Sequence, residues 1–261
     1  MKPMLALTGI ILTVCPLAVA QDGRVVVPAR NSTRPRKVDV SLTQGNVIVK
    51  AYNGKEVIVE SGRGNRPEPP QQSGGMHRID FPMRGFSVEE EDNVITVRSR
   101  TGGGENLVIS VPADTSLTAR AHNGYIQADG LHGEFDVQAQ NGRIMLNNIS
   151  GTVVAHSLNG AIQVTMDRVD TNKPLSFSTL NGPIDVTLPA DVKANVKLNS
   201  RGEIWSDFDI KLGGGTISQP NTSGDGRFRV TMDRNLSGTI NGGGVDASFY
   251  TLNGKITIHK K

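Results

Sequence analysis

The chain has 261 residues, with 28 Lys+Arg against 25 Asp+Glu, a formal net charge of +3, and only 4% aromatic residues beside 30 glycines. Charges this nearly balanced, with no polybasic run, lack the electrostatic footprint of a nucleic-acid-binding protein. The shortage of aromatics argues against a typical sugar-binding module, and the glycines point to many tight corners.

The first twenty residues read as a signal peptide. Lys2 gives a short basic start, Leu5 to Val19 is an almost uncharged apolar run, and Ala18-Val19-Ala20 supplies a small-x-small cleavage pattern. The run is too short for a comfortable membrane span, and no later stretch resembles one. The expected destination is the periplasm, the cell surface or the exterior. A minor alternative is a lipoprotein anchored through Cys15, although Val14 is larger than the residue such a signal normally places there. Cys15 is the only cysteine, so cleavage after Ala20 leaves no disulfide, and stability has to come from burial and hydrogen bonding.

Residues 21–37, with Asn31-Ser32-Thr33-Arg34-Pro35-Arg36-Lys37, read as a flexible N-terminal tether. Residues 38–261 read as a single β-repeat domain, opened by Val38-Asp39-Val40-Ser41-Leu42 and Val47-Ile48-Val49. A loop insertion at 62–85, rich in Pro and Gly, has too few apolar residues to bury and is expected to project as a contact surface. Phe86 to Val111 returns to alternating strands.

An internal repeat follows. Asn-Gly recurs at Asn123-Gly124, Asn141-Gly142, Asn159-Gly160, Asn181-Gly182 and Asn253-Gly254. Before each Asn, apolar or small residues fall at alternate positions, as in Phe135, Val137, Ala139 or Leu175, Phe177, Thr179. After it come pairs such as Ile144, Leu146 and Ile184, Val186. Period-two alternation of this kind predicts two short strands per repeat, each with one buried face. Asn and Gly both tolerate positive φ, which a tight corner between strands demands. A degenerate copy spans Val196, Leu198, Ser200-Arg201-Gly202 and Ile204, and Val-Thr-Met-Asp-Arg occurs twice, at Val164–Arg168 and Val230–Arg234.

Two architectures fit. In an antiparallel β-sandwich or barrel, Asn-Gly closes hairpins. In a β-solenoid of short coils it turns a corner, and equivalent residues stack about 4.8 Å apart. The near-constant spacing favours the solenoid, with the Asn side chains as a hydrogen-bonded ladder.

Segments such as Ser157-Leu158-Asn159-Gly160-Ala161-Ile162-Gln163-Val164 and Tyr250-Thr251-Leu252-Asn253-Gly254-Lys255-Ile256, with Val111-Pro112-Ala113-Asp114 and Leu188-Pro189-Ala190-Asp191, resemble the bacterial β-strand-repeat family of unknown function that carries the name "putative adhesin". That resemblance implies a right-handed β-helix-like fold in an exported protein and brings no catalytic residues with it.

The sequence gives little sign of site chemistry. His77, His122, His132, His156 and His259 include no pair at ligand spacing, and neither Glu89-Glu90-Glu91-Asp92 nor Thr222-Ser223-Gly224-Asp225-Gly226 matches a calcium loop. Asp129, Asp136 and Asp185 are outward carboxylates that alternation requires anyway, and Trp205 reads as packed near the degenerate copy. No cofactor, metal or catalytic site is expected. The expectation is a non-enzymatic adhesin-like or structural module of the cell envelope, taking a protein or glycan partner. The alternatives are a polysaccharide-active enzyme, marked by two carboxylates, or a carboxylate and an Arg, converging in an outer groove, and a regulatory component that binds another protein.

Overall fold

Each regular segment alternates apolar and polar side chains, so an extended conformation puts all its apolar residues on one face. The computed structural model describes residues 20–21, 24–29, 35–62, 85–99, 104, 106–213 and 235–261. These residues are all-β: their strands join in one continuous hydrogen-bonded sheet, with no helix among them. Cys15, His77, the body of the 62–85 insertion, Thr222–Gly226 and the second Val-Thr-Met-Asp-Arg lie outside the described residues.

In chain order, β1 (Ala20–Gln21) and β2 (Arg24–Val27) precede β3 (Arg36–Gln44), β4 (Val47–Tyr52) and β5 (Val57–Gly62). Next come β6 (Phe86–Glu91), β7 (Val94–Ser99) and β8 (Asn106–Pro112). The regular region holds β9 (Thr115–Asn123), β10 (Ile126–Asp129), β11 (His132–Asn141), β12 (Ile144–Ser157), β13 (Ile162–Val169), β14 (Leu175–Thr179) and β15 (Ile184–Leu188). The remainder is β16 (Ala194–Ser200), β17 (Ile204–Ser206), β18 (Lys211–Leu212), β19 (Asn235–Ile240), β20 (Val245–Thr251) and β21 (Ile256–Lys260).

Repeat units associate by parallel pairing in constant register. Upstream of the corners, β7, β3, β9, β11, the second half of β12, β14, β20 and β16 are successive parallel neighbours. Downstream, the order is β8, β4, β10, the first half of β12, β13, β15, β21 and β17. Among the described residues, no ladder joins β9 to β10 or β14 to β15, the strands that flank Asn-Gly. The register collects like residues into columns. Val47, Ile126, Ile144, Ile162, Ile184 and Ile256 stand side by side, all fully buried. Burying each Ile is worth about 1.5–3 kcal/mol. A second column brings Phe177 onto Phe249, with ring centroids 5.1 Å apart.

Spatial order departs from chain order at both ends. The β7–β8 unit packs outside β3–β4, which precedes it in sequence. The β20–β21 unit is intercalated between β14–β15 and β16–β17. Antiparallel strands then flank the outer units: β6 on β7, β5 on β8, and β19 on β16. Such flanking blunts an edge that would otherwise template further pairing. Of these, β6–β7 is a tight two-residue hairpin, whose loop is Asp92-Asn93 with φ of +49° and +65°, the positive-φ pair that such a loop demands.

One segment differs from its expected role. Arg24–Val27, in the stretch read as a tether, pairs antiparallel with β5, and Val27 is buried, because its valines complete the apolar face of that strand.

Candidate functional site: a corner ladder and an outer groove

The corner residues form a continuous structure across units. Asn141 Nδ2 donates to Asn123 Oδ1 at 2.9 Å, Asn159 to Asn141 at 2.9 Å, Asn181 to Asn159 at 2.7 Å and Asn253 to Asn181 at 2.8 Å. The glycines stack beside them, for a reason other than the one expected. None of the five Asn has positive φ, and of their glycines only Gly124 does, at +148°. What excludes a side chain is the neighbouring backbone. A Cβ on Gly142 would sit 1.9 Å from the Gly124 carbonyl oxygen, and one on Gly254 would sit 1.9 Å from that of Gly182.

Outward residues of β3, β9, β11 and β12 build a polar face. Arg120 lies between two carboxylates, with Nη1 3.8 Å from Asp39 and Nη2 3.7 Å from Asp136. Gln138 Nε2 donates to Asp136 at 3.2 Å, and His156 Nδ1 lies 3.3 Å from Ser178 Oγ. A shallow open groove of about 490 Å³ runs along this face, lined by Thr43, Arg120, His122, Gln138, Gln140 and His156. The fold thus brings His122 of β9 and His156 of β12 to one groove, with β11 between them, although their offsets from Asn-Gly differ. Both groups remain in rows of hydrogen-bonding side chains, and no group of three metal-ligating side chains is arranged to hold an ion among the described residues.

The other sequence candidates are dispersed. Asp129 accepts from Asn148 at 3.0 Å, and His132 lies 3.2 Å from Asp114. Asp185 is 3.8 Å from His259 Nε2, whose ring also bonds Asp207 at 3.0 Å. The hydrogen bond from His259, and then that from the Lys260 amide, hold the Asp207 carboxyl below its usual range. Glu89, Glu90 and Glu91 belong to the antiparallel strand β6. Trp205 departs from expectation. It is 60% exposed rather than packed, with its indole N–H donated to Glu203 at 3.0 Å. Outward alternation alone does not distinguish a lone Trp on the solvent face from one in the core.

No family model matches the chain, and no curated protein matches it. Among solved structures, it is similar to a putative cell adhesion protein from Clostridium sporogenes, at 9% identity and a TM-score of 0.44, covering 91% of this chain and 98% of that one. It is also similar to a putative adhesin from Bacteroides fragilis, at 12% identity and a TM-score of 0.31, covering 92% of this chain and 98% of that one. No described helix is long and apolar enough to cross a membrane.

Proposed function

We propose that this protein is a non-enzymatic, adhesin-like binding module of the bacterial envelope or exterior, exported by its N-terminal segment and built as a β-solenoid. Its corner ladder stiffens a scaffold, and the groove beside Arg120, His122, Gln138, Gln140 and His156 receives an envelope protein or glycan. The observation that carries this reading is the constant parallel register of the units, which presents hydrogen-bonding side chains in fixed rows one strand spacing apart. Rigid rows of donors and acceptors suit recognition because little side-chain order has to be acquired on binding.

The test is retention of the exported protein on immobilised envelope polysaccharide and envelope protein fractions. A Gln138→Ala/His156→Ala variant with an unchanged melting temperature should lose retention about tenfold, roughly 1.4 kcal/mol. Full retention by that variant rejects the groove. A second reading, polysaccharide-active enzyme, draws on Arg120 lying between Asp39 and Asp136. The geometry has a simpler cause, since Arg120 sits on the middle of three strands and reaches diagonally to both neighbours. Release of reducing ends from a soluble polysaccharide, abolished by Arg120→Gln, would decide for the enzyme.

A further inference from the structure

Trp205 is the chain's only tryptophan, and it occupies an unusual position. Phe135, Phe177 and Phe249 are all fully or almost fully buried in the core. Trp205 instead lies on the outer face of β17, 60% exposed. Its N–H is already satisfied by Glu203 at 3.0 Å, which leaves an apolar indole surface toward solvent.

The surroundings of that surface are polar and rigidly held. Parallel register places Trp205 beside Thr257, and Thr257 beside Asp185, in one outward row. Two residues further along lie Asp207 and His259. The Asp207 amide bonds the Ile258 carbonyl at 2.9 Å, and its carboxylate accepts from the Lys260 amide at 3.3 Å and faces His259 Nδ1 at 3.0 Å. His259 Nε2 lies 3.8 Å from Asp185. Ser206 Oγ locks the following turn, accepting from the Phe208 amide at 3.0 Å, and Phe208 is buried.

We propose that the outward patch of Trp205, Thr257, Asp185, Asp207 and His259 is a carbohydrate-binding subsite. One pyranose ring of a glycan stacks its C–H face on the indole, and its hydroxyls bond to the two carboxylates, the threonine hydroxyl and the imidazole. A sugar is the ligand that matches both halves of the patch, an apolar face edged by acceptors and donors. A cation fits less well, because both carboxylates already face the His259 ring and Asp207 also accepts from the Lys260 amide, so their oxygens are partly engaged. Strand spacing of about 4.8 Å also sets neighbouring side chains within the row at a separation comparable with one extended pyranose residue. The patch belongs to the β21–β17 side of the fold, apart from the groove at Arg120, so either can fail without the other.

Because Trp205 is unique, its emission reports this patch alone. The protein purified after export would be titrated with cellohexaose, chitohexaose and maltohexaose, and separately with hexalysine. The expected result is a saturable emission shift with at least one hexasaccharide, with its midpoint weakened tenfold or more by Asp207→Ala or His259→Ala. In affinity electrophoresis the same glycan should retard the parent and Trp205→Tyr but not Trp205→Ala. Silence with all three sugars overturns the proposal. So does a shift with hexalysine alone, which would make the patch a cation site, or one that follows protein concentration, which would make it a self-contact. Should Trp205→Ala not fold, the Asp207 and His259 variants decide between the same outcomes.

Discussion

Thr251 Oγ1 donates to the carbonyl oxygen of Gly182, 2.9 Å away in the neighbouring unit. The same contact recurs from Ser157 to Gly142, Thr179 to Gly160 and Ser200 to Gly254, at 3.2, 3.0 and 2.7 Å. All four hydroxyl residues are buried, so each supplies a donor to a corner carbonyl at a site shielded from bulk water. Thr251→Val keeps the shape and removes the donor. It should cost about 1–3 kcal/mol, with Thr251→Ser recovering most of the hydrogen-bonding contribution, as chemical denaturation would show. Equal stability of the parent and the valine variant would deny the hydroxyl its role.

The corner glycines give a sharper contrast. Gly142→Ala puts a methyl against backbone rather than a movable side chain, so its cost should meet or exceed the usual ~1–3 kcal/mol of overpacking. Gly85, with open space around its would-be Cβ and no positive φ, should accept alanine with little change. Thermal melts of the two variants side by side check both expectations.

Position in the Asn ladder should matter. Asn159→Ala removes two side-chain hydrogen bonds, one to Asn141 and one from Asn181, whereas Asn253→Ala removes only the one to Asn181. These amides are exposed, so about 0.5–1 kcal/mol per bond is expected, and the interior variant should lose about twice as much. Equal losses would show that the ladder is a consequence of packing rather than a contributor to it.

Asp207 gives a signed pH dependence. Its folded-state pKa is depressed, so its contribution to stability is present above the ordinary carboxylate range and is lost as pH falls through the folded value. The partners are the ring of His259, which Asp185 also faces, and the Lys260 amide. Both side chains are exposed, so the effect is small and screened by salt. The melting temperature of Asp207→Asn should lie below the parent's at neutral pH, and the gap should close on acidification. A gap independent of pH would remove the carboxylate from the explanation.

Much of this was legible in the residues. Alternation marked the inward positions, and the 18-residue step from Asn123 to Asn141 to Asn159 matches neighbouring units that pair residue for residue. Two things were hidden, for physical reasons. Ladder partners are selected by the shape of the unit, so Asn181 finds Asn253 across 72 residues, and no local pattern announces that. The demand for glycine arises from contact between backbones of different units, which residue-level φ preferences do not contain. The outer groove was illegible for a related cause. His122 and His156 line one groove only because successive units are held side by side, and Trp205 gave no cue in sequence to the face it would occupy.

The intercalation of β20–β21 makes strands late in the chain an interior layer. The β16–β17 unit is made before the surface it rests on exists, so a chain growing from its N-terminus cannot finish the stack in the order of synthesis. Removing β20–β21 would therefore take out a middle floor rather than a roof, stranding the unit above it. Completion of this region has to await β20–β21, whose contacts with β14 and β15 are among the most distant in sequence.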